Sequence, residues 1–141
     1  MNQQSHSLCR LSVYLKGDDL CPDEITKLVG IEPTEGRRKG EAWITSSNKT
    51  VVEKRGLWSW TYSVQTDDVA QVLERFLVMF PEGISFGKLP GVTDAYLDIF
   101  VANKADESGG GEGDLILDPL SLRRLAMLEL PLQVTFAVVC D

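Results

Sequence analysis

The stretch Leu57-Trp58-Ser59-Trp60-Thr61-Tyr62-Ser63-Val64-Gln65 decides the fold. Large side chains stand at every even position from Trp58 to Val64 and small polar ones between them, the period-2 signature of a strand with one buried face. Directly after it the period changes. Thr66 caps a helix opening with Asp67-Asp68, and Val69, Val72, Leu73, Phe76 and Phe80 recur at three- and four-residue spacing up to Pro81. A strand that turns into an amphipathic helix needs a sheet on which both can bury their apolar sides.

Working outward from it, more strands and helices follow. Upstream, Leu8–Lys16 alternates, with Leu11, Val13 and Leu15 on one side and Arg10, Ser12, Tyr14 and Lys16 on the other. A short helix follows over Pro22–Val29, opened by Pro22-Asp23-Glu24 and stopped by Gly30. Residues 31–56 are loop-rich, with a hairpin of short strands near Glu41–Thr45 and Thr50–Glu53 around Ser46-Ser47-Asn48. Downstream, Gly83–Leu89 reads as a strand or turn and Asp94–Asn103 as a strand. Asp118-Pro119 starts a helix with Leu122, Leu125, Met127 and Leu128 inward, and Leu132–Val139 alternates as the last strand. Cys21-Pro22 with Ile25, Leu28 and Ile31-Glu32 is echoed by Asp118-Pro119 with Leu122, Leu125 and Leu128-Glu129, at a constant offset of 97. Each copy follows one strand and precedes another. The expected fold is α+β: a mainly antiparallel sheet with helices on one face, ferredoxin-like or built from duplicated strand–helix–strand units.

At 141 residues the chain fits a single domain over 1–141, with a disordered tail over 1–7 and a mobile acidic-glycine loop over 105–113. The net charge of −7 is unevenly placed, about +1 over residues 1–64 and −8 over 65–141. An acidic second half argues against nucleic acid or an anionic membrane as the main partner and favours a basic one. No apolar run is long enough for a membrane span and no signal peptide is visible. With three cysteines that match no zinc spacing, the expected location is a reducing cytoplasm.

The chemical motifs mostly fail. Gly83-Ile84-Ser85-Phe86-Gly87-Lys88-Leu89 has one residue too few between its glycines, and no hydroxyl after the lysine, for a phosphate loop. Gly110-Gly111-Glu112-Gly113-Asp114 occurs once, whereas calcium-binding nonapeptides work as stacked repeats. His6 is the sole histidine, so neither a Ser-His-Asp nor a Cys-His site assembles. Asp94 and Asp98 share a strand face about 13 Å apart, too far for a retaining glycosidase pair, and read as a solvated face. Cys9 and Cys140 lie on apolar terminal strands as small hydrophobes. No catalytic residue, metal site or cofactor is expected. The one constellation with binding chemistry is Arg37-Arg38-Lys39 with Trp43 and Trp58, since Arg and Trp favour binding hot spots and guanidinium groups fork onto anions. Its bland counterpart is a solvated basic loop beside core tryptophans.

The order Pro22-Asp23-Glu24-Ile25-Thr26, Gly30-Ile31-Glu32-Pro33-Thr34, Arg38-Lys39-Gly40-Glu41, Gly56-Leu57-Trp58-Ser59 and Leu130-Pro131-Leu132 resembles the bacterial family known as domain of unknown function 4279. The resemblance implies a stand-alone bacterial cytoplasmic protein and carries no site residue over to this chain. Three functions stay open. The favoured one is a non-enzymatic protein-binding module, with an immunity-type protein that neutralises a basic toxin as a special case. The alternatives are a small-molecule or anion-binding module using the basic-aromatic loop, and an enzyme of unknown class. An open sheet face carrying Tyr96, Phe100 and Val139 would also suit a homodimer.

Overall fold

The computed structural model describes residues 8–66, 68–105 and 114–139. Within them the chain runs β1 (Leu8–Gly17), α1 (Pro22–Val29), β2 (Glu35–Arg37), β3 (Ala42–Ile44), β4 (Thr50–Val52), β5 (Gly56–Gln65), α2 (Val69–Met79), a 3-10 turn (Phe86–Lys88), β6 (Asp94–Lys104), α3 (Pro119–Met127) and β7 (Leu132–Val139). The expected tail over 1–7, Cys140 and all of loop 105–113 but Ala105 fall outside the described residues.

The main sheet has the order β2-β5-β1-β6-β7, and β3-β4 is a separate hairpin. Every neighbouring pair in the main sheet is antiparallel except β6–β7. Strands β1 and β2 are parallel with β5 between them, and β5 and β6 are parallel with β1 between them. The series β1-α1-β2-β5-α2-β6 is therefore two interleaved split strand–helix–strand units, the ferredoxin-like arrangement. The β3-β4 hairpin is inserted into it and α3-β7 is added at one edge. The echo at offset 97 corresponds to α1 and α3, each with proline in its first turn.

Period 2 sorts the strands into two faces. Leu11, Val13 and Leu15 of β1 are fully buried beside Trp58 and Trp60 of β5 and Leu97, Ile99 and Val101 of β6. Ile25 and Val29 of α1, Val69, Val72, Leu73 and Phe76 of α2, and Leu128 after α3 cover that face. The hub is aromatic: Phe80 meets Trp60, Phe76 and Phe86 edge-on with ring centroids 4.9–5.4 Å apart. Cys9 is buried on the same face, and burial pushes its thiol pKa up, so it acts as a small hydrophobe.

Local chemistry sets the ends of these elements. Gly30 ends α1 at φ 82°, a left-handed turn that favours glycine, and its N–H donates to Thr26 O at 2.7 Å. Gly17 ends β1 against the carbonyl of Gly91, where a Cβ would collide with backbone. Asp68, not Thr66, caps α2: its carboxylate accepts from Gln71 N–H at 3.0 Å, while the Thr66 hydroxyl accepts from Asp68 N–H. Three further differences from the sequence reading have physical causes. Residues 35–37, within the stretch 31–56 read as loop-rich, form the edge strand β2 because its backbone pairs with β5. Phe86 enters the core from the 3-10 turn, where no strand or helix period could flag it. In α3, Leu122 and Met127 are 53% and 60% exposed and Ser121 is buried. Helix α3 leans on α2, and the face it turns inward is rotated from the one expected.

Candidate functional site

The two sides of the sheet have different surroundings. The side opposite the helices carries Arg10, Ser12, Tyr14 and Lys16 from β1, Ser59, Thr61 and Ser63 from β5, Tyr96, Asp98 and Phe100 from β6, and Gln133 and Thr135 from β7. Alternation in four long strands places these side chains in one layer.

Arg37 lies on this side, at the β2 end, through its pairing with Leu57. Its guanidinium sits 3.8 Å from the centroid of the Trp43 ring and contacts Glu35 Oε2 at 3.1 Å and Glu53 Oε1 at 3.4 Å. Two carboxylates and an indole thus hold Arg37 and fasten the β3-β4 hairpin to the sheet edge. Arg38 donates to Cys21 Sγ at 3.0 Å, and Lys39 makes an exposed pair with Asp18 at 3.6 Å. Trp58 stands on the other face, fully buried, with Nε1 donating to Thr26 Oγ1 at 3.1 Å. The structure therefore brings Arg37 and Trp43 together, leaves Arg38 and Lys39 on the adjoining surface, and separates Trp58 from all of them. Beside the hairpin is an open cleft of about 350 Å³, lined among others by Lys16, Val51, Val52, Lys54, Arg55 and Leu57.

The middle of the uncovered face holds a second arrangement. Tyr14 and Tyr96 stack with centroids 4.9 Å apart, and the Arg10 guanidinium lies 5.7 Å from the Phe100 centroid. Ser12 and Thr61 share a hydrogen bond of 3.1 Å. Asp98 lies among these groups. Thr135 donates to its carboxylate, yet Oδ1 is shut off from water with no hydrogen-bond partner among the described residues. Burial pushes its pKa above the ordinary carboxylate value, opposed by Arg10 and by the Thr135 hydrogen bond. Tyr96 is raised as well, by burial first and then by Tyr14 and the nearby carboxylates.

The solvated Asp94/Asp98 face expected from the sequence thus divides. Asp94 is exposed and pairs with Arg55 at 3.6 Å, whereas Asp98 is half-buried. The sequence signal for this cluster was Tyr96, Asp98 and Phe100 on one strand face; the partners Tyr14, Arg10 and Thr135 follow only from strand order.

Fold and face together define a two-layer α+β domain with helices on one side of the sheet and an aromatic-acidic platform on the other. The sequence model of the family described as Domain of unknown function (DUF4279) matches residues 7–138, so the chain belongs to that family. No curated protein and no solved structure matches it.

Proposed function

We propose that the chain is a non-enzymatic protein-binding module that receives a basic partner on its uncovered sheet face. The observation that carries this reading is Asp98: a half-buried carboxylate on the same sheet face as the stacked Tyr14 and Tyr96 and as Phe100. A cation laid against the aromatic pair would relieve the unfavourable ionisation of Asp98. Lys or Arg from a partner supplies that charge together with an aliphatic stem suited to the tyrosine rings. The excess acid of residues 65–141 acts in the same direction at longer range, speeding encounter with a basic protein. An immunity-type protein that neutralises a basic toxin is the special case, and a bacterial cytoplasm is the setting proposed for it.

The test is affinity capture from the native host followed by titration of the purified partner. A basic protein should bind the wild-type chain, with affinity falling as salt rises. Asp98→Lys should weaken it at least tenfold while Lys39→Ala leaves it unchanged. Binding indifferent to Asp98→Lys and Tyr96→Ser would sink the proposal. A second reading, anion binding, draws on the cleft beside the hairpin, lined by Lys16, Lys54 and Arg55 together with Glu53, Val51, Val52 and Leu57. There a thermal-shift screen of small anions should find a ligand that stabilises the chain by about 2.7 kcal/mol at 100 times its dissociation constant.

A further inference from the structure

The two edges of the main sheet are treated differently by the sequence. The β2 edge is three residues long, bears Glu35 and Arg37, and has the β3-β4 hairpin fastened beside it. The β7 edge is eight residues, Leu132-Gln133-Val134-Thr135-Phe136-Ala137-Val138-Val139, without charge, proline or glycine. It pairs with β6 in unbroken register from Leu97↔Leu132 to Lys104↔Val139, so no bulge interrupts it. Soluble proteins protect exposed edges with short strands, lysine, proline or bulges, and β7 has none of these. Its helix-side residues are also poorly covered: Leu132, Phe136 and Val138 are 43%, 54% and 47% exposed, because α3 packs toward α2 rather than over β7.

Hydrogen bonding shows which backbone groups are free. Leu97 N–H donates to Pro131 O, and Ala105 N–H to Val139 O. In a regular parallel ladder the odd-numbered residues of β7 therefore face β6. The N–H and C=O groups of Leu132, Val134, Phe136 and Val138 point outward, with no strand partner among the described residues.

We propose that this edge is a homodimer interface, in which β7 of a second copy pairs antiparallel with β7 across a two-fold axis. The occupant follows from chemistry. An uncharged strand cannot select a basic or acidic peptide, but it suits another uncharged apolar strand, and two-fold pairing places no charged side chain of one β7 opposite a charge on the other. Pairing centred on Thr135 sets Leu132 opposite Val138 and Val134 opposite Phe136 on the helix side, each joined by outward-facing backbone groups. Thr135 then faces its own copy at a position without backbone hydrogen bonds, where Cα atoms approach most closely, about 4.5 Å. The two sheets become one, and both copies of the Asp98 face lie on the same side of it.

Light scattering on the full chain over a range of concentrations, with cysteine trapping, tests this. The wild type should run at twice the 15.6 kDa chain mass. A double substitution Phe136→Lys with Val138→Lys should give a monomer with unchanged circular dichroism, because both side chains are half exposed. In a Cys21→Ser, Cys140→Ser background, Thr135→Cys should form a disulfide-linked dimer on mild oxidation, while Ser63→Cys on β5 should not. A wild type that stays at 15.6 kDa throughout, its edge bare or covered by another part of the same chain, overturns the proposal. So does a dimer that survives the lysine pair and gives no cross-link through residue 135.

Discussion

Asp98 and Trp58 illustrate how one sheet assigns opposite roles to its two faces. Trp58 is fully enclosed by α1, the 3-10 turn and β1, and its only polar atom is satisfied by Thr26. Trp58→Ala should cost about 3–5 kcal/mol, read as a fall in the urea midpoint, because it both opens a cavity and orphans the threonine hydroxyl. Asp98 is raised in pKa, so the native state holds its proton more tightly than the unfolded chain does. Stability from this group is therefore present in acid and is lost as pH rises through the raised native value. Asp98→Asn should accordingly melt higher than the wild type at neutral pH, with the gap closing as pH falls toward the ordinary carboxylate range. A variant that melts lower at neutral pH and stays lower in acid would refute that account. Glu129 behaves in the opposite sense: Lys88 holds its carboxyl below the usual range, so its contribution exists at neutral pH and disappears in acid.

At the scale of elements, the deciding features are termini and edges. Asp68→Ala should destabilise by about 1 kcal/mol through loss of the α2 cap, whereas Thr66→Ala, removing a hydroxyl that only accepts from Asp68 N–H, should have a smaller effect. Thermal melts of the two variants under one condition check the order. Gly17→Ala should cost about 1–3 kcal/mol, since its methyl group would enter the carbonyl of Gly91 and the corner where β1 turns toward α1 would have to open. Periodicity made β1, β5, β6, β7, α1 and α2 legible in advance, because each has enough residues for its period to show. It was silent on β2 and on the 3-10 turn that carries Phe86, each three residues long and without a period, and it misjudged α3. The apolar residues of α3 exceed what its inward face can hold, so their spacing alone does not say which ones are buried.

Across the whole molecule, β1 is the most secure strand, paired over nearly its full length with β5 on one side and β6 on the other. Amide hydrogen exchange should be slowest in Leu11–Leu15 and fastest in the β3-β4 hairpin, whose Ile44 and Val52 are exposed and which joins the sheet mainly through Arg37 and Trp43. Faster exchange in β1 than in the hairpin would contradict this ranking. Trp43→Ala should accelerate exchange in the hairpin alone, since the indole is the cover over Arg37. The sequence by itself determined the α+β class, the core face of β5 and the family, because alternation, helical spacing and the ordered glycine, proline and tryptophan motifs are local properties of the chain. Only the tertiary structure decided that Trp58 and Arg37 stand on opposite faces, that Asp98 meets Arg10 and Thr135, and that β7 is an undefended edge. Each of those depends on which strands lie side by side, and strand order is set by contacts between residues far apart in sequence.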